Sequence, residues 1–146
     1  MDRLKYHKSL KVAFASEFSF YLKSSFFHWN VTGINFPQLH SLFGTIYEDV
    51  IGIIDDFAEN IRKAGAFTPG SLSKFSMITE IDDANELLSD REMLETLLAD
   101  SEKMAQIFKI TFDMAEANGD HGLSDFLAAR QDAHKKYSWM LRSTLA

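Results

Sequence analysis

The placement of the chain breakers constrains this sequence most. Both prolines and most glycines fall in three clusters, at residues 33–37, 65–70 and 119–122. Between the clusters apolar residues recur at helical spacing, and no alternating strand pattern is present. The first stripe holds Leu10, Ala13, Phe14, Phe18, Tyr21 and Leu22; the second holds Leu39, Leu42, Phe43, Ile46, Val50 and Ile53 and runs on to Ile61. The third runs from Leu94 to Ala115 and the fourth from Leu123 to Leu141. The spacing predicts four helices, over about 4–32, 36–64, 90–118 and 122–144.

The connections after the first and third helices are short, which makes their flanking helices antiparallel neighbours. The connection from Gly65 to about Ser89 is long, and Ser71–Ile78 within it can form a short extra helix. An all-α four-helix bundle with one long crossover, which is the ferritin-like topology, follows from that pattern. A chain of 146 residues is expected to make one domain, 1–146.

The chain has no cysteine, which excludes disulfides, thiolate metal sites and a cysteine nucleophile together. Any metal must therefore be held by nitrogen and oxygen. The net charge of −6 opposes polyanions such as DNA. Arg3, Lys5, Lys8 and Lys11 are read as the solvated start of the first helix in preference to a DNA-binding arm. No secretory apolar segment and no membrane-length apolar run is present, so a cytoplasmic protein is expected.

Two histidines stand close to a break, His28 near the end of helix one and His40 in the first turns of helix two. Helix two also carries Glu48, Asp55, Asp56 and Glu59. On a straight helix His40, Glu48, Asp55 and Glu59 fall within an arc of roughly 100°. His40 and Asp55 would be about 22 Å apart along the axis, so no ion with ligand bonds of about 2 Å touches both from one chain. Two copies of helix two, antiparallel across a two-fold axis near Asp49, would bring His40 of one chain to Asp55 and Glu59 of the other. His28 can join from the neighbouring helix. Imidazole with carboxylate suits ferrous iron or zinc. Taken by spacing alone, the same residues also fit helix-end packing and a solvated acidic face. The apolar neighbours Ile51, Ile54 and Phe57 favour the metal reading, because carboxylates on a buried face need a cation. No glutamate is followed by histidine three residues later, so the intra-bundle di-iron pattern is missing.

At this point the residues resemble the Dps-type mini-ferritins. The resemblance lies in His28-Trp29-Asn30-Val31-Thr32-Gly33 followed by Asn35-Phe36, Leu39-His40 and Leu42-Phe43, and in Asp55 with Ala58-Glu59 and Ile61-Arg62. It continues in Asp125-Phe126-Leu127, Arg130, His134-Lys135 and Trp139-Met140-Leu141-Arg142-Ser143 of the last helix. It implies a dodecameric hollow shell, a ferroxidase site at each two-fold interface and a stored ferric mineral. It also implies hydrogen peroxide as the preferred oxidant and protection against oxidative damage. His28 and His40 would ligate iron from one chain, Asp55 and Glu59 from its partner, with Trp29 close by and zinc able to substitute.

The family usually has an aspartate where this chain has Gly44. Glu48, a turn further on, is a further ligand candidate, and a weakened iron position is expected. Gly44 also keeps open a second reading, a shell that has lost efficient iron oxidation and serves as a DNA- or protein-binding scaffold. No extended lysine-rich tail is present, so weak or absent DNA binding is expected. Asp120 and Asp125 resemble the positions lining the family's three-fold iron-entry pores. Asp120 equally suits a helix N-terminal carboxylate.

Overall fold

The computed structural model describes residues 2–146; Met1, with which the expected domain begins, lies outside the described residues. Six helices follow one another: α1 (Arg3–Asn30), α2 (Phe36–Ile51), α3 (Ile54–Lys63), α4 (Leu72–Ile78), α5 (Asp90–Ala117) and α6 (His121–Leu145). Among the described residues there is no strand, and no helix is long and apolar enough to cross a membrane. α1, the α2–α3 pair, α5 and α6 form the four-helix bundle, and α4 is the short helix of the crossover.

Local chemistry sets the helix ends. Asp2 caps α1 by accepting from the Lys5 amide at 3.1 Å. Gly33 turns the chain between α1 and α2 with φ 120°, a backbone conformation that side chains disfavour. Pro37 then sits in the first turn of α2, where its missing N–H costs nothing. α5 opens with a reciprocal capping box: Ser89 accepts from the Glu92 amide, and Glu92 accepts from the Ser89 amide. It ends at Gly119, φ 73°, beyond which the Asp120 amide returns to the Ala115 carbonyl at 2.9 Å.

The expected continuous helix over 36–64 is broken. At Gly52 and Ile53 the chain tightens, and the Ile53 amide bonds to the Val50 carbonyl, three residues back, at 3.1 Å. Gly52 lowers the cost of leaving the helical ladder there. Apolar periodicity runs through the break, so the hydrophobic pattern does not mark it.

Phenylalanine dominates the core. Phe20, Phe27, Phe43, Phe57 and Phe108 are fully buried, and Phe57 meets Phe14 edge-on at 5.3 Å. The bundle interior also holds an ion cluster. Glu17 of α1 accepts from Arg130 at 3.2 Å and from His134 Nε2 at 2.7 Å, both on α6. Arg130 donates onward to the Tyr137 hydroxyl, which donates to Asp49 of α2. Glu17 and His134 are wholly buried. Burial opposes ionisation of Glu17, but His134 and Arg130 outweigh it and hold its pKa below the usual carboxylate value. Buried Lys23 pairs with half-buried Asp100 at 2.7 Å and ties α1 to α5. The crossover is pinned where the Glu80 amide donates to Ser16 and Ser19 meets Thr79.

Because the folded pKa of Glu17 is depressed, its pairing stabilises the fold above the usual carboxylate range. That contribution is lost as pH falls through the depressed value. Arg130→Met leaves the carboxylate buried without its guanidinium and is expected to cost roughly 3–5 kcal/mol near neutral pH. Denaturant melts at several pH values check this. The gap between wild type and variant should shrink as acid protonates Glu17 in both.

Candidate metal centre

His28, in the last turn of α1, and His40, in the second turn of α2, lie face to face with ring centroids 3.8 Å apart and planes 15° from parallel. Their backbones lock them reciprocally. His28 Nδ1 donates to the His40 carbonyl at 2.6 Å, and His40 Nδ1 donates to the His28 carbonyl at 2.7 Å. A carbonyl only accepts, so both Nδ1 atoms carry hydrogen. In the neutral rings both Nε2 lone pairs are left for a metal or a proton. Such second bonds also fix ring orientation, as metal-binding imidazoles require.

The pair stands in an aromatic sandwich. Phe36 packs on His40 at 5.1 Å, and Tyr47 packs on His28 at 5.0 Å. Gly44 closes the remaining side. A Cβ there would lie 2.8 Å from His28 Cε1 and 3.0 Å from its Nδ1. The helical penalty of glycine, about 1 kcal/mol relative to alanine, is the cost of seating the imidazole against the helix. Gly44 is thus more than a missing carboxylate, because the space it leaves is filled by His28.

Asp55 and Asp56 lie in the first turn of α3, and Glu59 one turn later. The expectation that Asp55 and Glu59 occupy a buried face does not hold within one chain. Both are exposed, while Phe57 and Ile61 point into the core. Of the apolar neighbours used in that inference, Phe57 lies on the buried side of the helix, Ile54 is half-buried and Ile51 is itself exposed at the end of α2. No cluster of three or more metal-capable side chains occurs among the described residues. Within one chain the imidazole pair and the Asp55–Glu59 pair are therefore separate groups. Glu48 is exposed on α2 between them. Trp29 is 63% exposed and makes no ring contact with either imidazole.

The acidic residues at the start of α6 divide. Asp120 is half-buried and accepts from the Tyr6 hydroxyl at 2.9 Å, which ties α1 to the α5–α6 corner. Burial first, then Asp120, pushes the Tyr6 pKa up. Asp125 is exposed on the first turns of α6, without a side-chain partner among the described residues.

Sequence reasoning missed Tyr47 and Phe36 as walls of the imidazole pair. The available signal was spacing: Tyr47 follows Gly44 by three residues and Phe36 precedes His40 by four, each on a shared helical face. It also missed the Glu17–Arg130–His134 cluster, although Glu17 stands inside the first apolar stripe.

A four-helix bundle with one long crossover is the ferritin-like topology. The comparisons agree. Residues 7–146 match the ferritin-like domain family. A DNA protection during starvation protein of Brevibacillus brevis is 31% identical over 125 residues, covering 86% of this chain and 84% of the relative. The crystal structure of a Dps protein from Bacillus brevis superposes with a TM-score of 0.94 at 28% identity, covering 100% of both chains. The Vibrio cholerae Dps protein, described as a member of a broad superfamily of ferritin-like diiron-carboxylate proteins, gives 0.93 at 26% identity, covering 99% of this chain and 91% of that one. The chain belongs to the ferritin-like family and, within it, to the Dps-type mini-ferritins.

Gly44→Ala raises helix propensity and should leave the bundle folded, yet its methyl group displaces His28. Zinc affinity is expected to fall roughly 10–100-fold, as for lost support of a ligand. Calorimetric titration checks this. Unchanged affinity would mean that His28 is not a ligand.

Proposed function

We propose that this protein oxidises ferrous iron at sites shared between subunits and stores the ferric product inside a dodecameric shell. Hydrogen peroxide is the preferred oxidant, and the protein thereby limits oxidative damage. The observation that carries the reading is the reciprocal imidazole lock, which leaves two Nε2 atoms without a partner while no third metal-capable side chain joins them among the described residues. The description of the Vibrio cholerae relative as a diiron-carboxylate protein supports iron as the substrate.

In this proposal two subunits pair their α2–α3 segments antiparallel. His28 and His40 of one subunit then face Asp55 and Glu59 of the other, and each two-fold dimer holds two equivalent sites. Neutral imidazoles favour the ferrous ion, and the partner's carboxylates favour the harder ferric product. Because Gly44 supplies no carboxylate, each site holds one iron tightly; Glu48 is the side chain nearest in sequence able to add a second, weaker position. Exposed Asp125 suits a ring of carboxylates that draws in ferrous ions by its field. Asp120 is already occupied by Tyr6 and serves the fold first. A net charge of −6 makes DNA binding weak or absent. The rival reading, a scaffold that has lost iron oxidation, rested on Gly44 as a deleted ligand. The fit of His28 over Gly44 gives that residue a use within the metal site.

Shared sites make a definite prediction. A His28→Ala/His40→Ala variant and an Asp55→Ala/Glu59→Ala variant should each lose peroxide-driven iron oxidation. Subunits of the two, dissociated and reassembled together, form mixed dimers in which one of two sites has all its ligands. Activity is therefore expected to return in the mixture, and its absence would sink the shared-site arrangement.

In wild type, anaerobic ferrous titration should show one tight iron per subunit. Two equally tight irons would overturn the role assigned to Gly44.

A further inference from the structure

The lysines near the start of α1 have no part in iron oxidation, yet two of them converge with a third from the crossover. Lys8 and Lys11 of α1 and Lys74 of α4 line one hollow of about 500 Å³. None of the three makes an ion pair among the described residues. No aspartate or glutamate lines the hollow. In the whole chain acidic residues outnumber lysine and arginine 21 to 15, so a cationic hollow without counter-charge runs against the composition. A cleft lined by one sign of charge concentrates ions of the other sign.

Apolar side chains supply the other walls. Leu4, Val12, Phe67 and Ile78 line the same hollow, although Leu4 and Phe67 are 82% and 75% exposed. Sequence spacing builds the arrangement. Leu4, Lys8, Lys11 and Val12 stand at i, i+4, i+7 and i+8, on one face of α1. Lys74 and Ile78 are four residues apart on α4. At the edge, His7 Nε2 donates to the Ala64 carbonyl at 2.9 Å. Gly65 follows with φ 95° and brings no side chain to fill the space. Phe67 is braced by Arg62, whose guanidinium lies 4.2 Å from the ring centroid and donates to the Ala66 carbonyl at 3.1 Å.

Size and lining together select a ligand class. The volume of about 500 Å³ lies within the range of small-molecule sites, roughly 300–1,000 Å³. A polyanion such as duplex DNA would use the lysines and leave the apolar walls in water. An uncharged apolar molecule would leave the lysines unpaired. We propose that the hollow binds a small organic anion of the fatty-acid class, with one carboxylate head and an apolar tail. The head accepts charge-assisted hydrogen bonds from Lys8, Lys11 and Lys74, and the tail covers Leu4, Val12, Phe67 and Ile78. The hollow shares no residue with His28, His40, Asp55 or Glu59, so this site does not depend on the iron-oxidising reading.

The test titrates decanoate, below its micelle concentration, into the full chain in its native assembly and follows the heat of binding. Wild type should take up one decanoate per subunit saturably. Lys8→Ala/Lys11→Ala should weaken uptake roughly tenfold or more. Leu4→Glu sets a carboxylate on an exposed wall near a helix start, where negative charge is favoured, and should abolish uptake. Neither variant touches a buried residue, and circular dichroism melts with light scattering check that each remains folded and assembled. Absence of saturable uptake by wild type would overturn the proposal, as would equal affinity in both variants. Binding of duplex DNA through Lys8 and Lys11 without uptake of decanoate would overturn it in favour of a polyanion surface. Binding to phosphatidylglycerol vesicles without uptake of free decanoate would overturn it in favour of a membrane-facing surface.

Discussion

Two hydrogen bonds join the end of α1 to the start of α2, and each serves two purposes. As backbone-directed bonds across the turn, they close the corner between antiparallel helices and satisfy carbonyls at positions 28 and 40. As bonds from Nδ1, they settle which nitrogen carries hydrogen and where each ring points. Neither purpose survives without the surrounding shape. Gly33 lets the chain turn tightly enough for the two residues to meet, and Gly44 lets His28 lie against the helix. Phe36 and Tyr47 prevent the rings from swinging out. The imidazole pair is therefore built into the helix corner, between two helices.

The bundle centre shows the opposite use of the same chemistry. Glu17 and His134 are a carboxylate and an imidazole at hydrogen-bonding distance in the core, a pairing that elsewhere invites a metal. Here the Arg130 guanidinium supplies the positive charge that the buried carboxylate needs. Imidazole Nε2 is spent on Glu17, whereas at the helix corner it is kept free. The fold thus pairs its own interior charge, while the His28–His40 pair stays partly exposed and Asp55 and Glu59 exposed.

Much of this was legible in the sequence, and the exceptions have physical causes. Helix ends were readable because Gly33, Pro37, Gly65, Pro69 and Gly119 act locally. The short helix at Ser71–Ile78 was readable for the same reason: Ser71 caps it by accepting from the Lys74 amide. The interruption at Gly52 was not, since a lone glycine within a periodic stripe is tolerated as often as it breaks a helix. The exposure of Asp55 and Glu59 is not legible in the sequence, because neighbours along the chain need not share a helical face. Phe57, two residues from each, points the other way. An absent side chain says nothing about what occupies its space, so only the placing of His28 reveals the use of Gly44.

The break at Gly52 is part of the same design. By ending one helix and starting another, it places Asp55 and Asp56 in the first turn of α3, near the positive end of that helix dipole. Negative charge there is favoured by about 0.3–1 kcal/mol at exposed positions. Mid-helix, two adjacent exposed carboxylates would have only their mutual repulsion. The tight turn thus leaves Asp55 and Asp56 exposed at the start of a helix. Helix α1 orients the imidazoles by hydrogen bonds, and α3 presents the carboxylates by its position after a turn. The turn at Gly52 and Ile53 thus separates His40, near the start of α2, from the carboxylates that open α3.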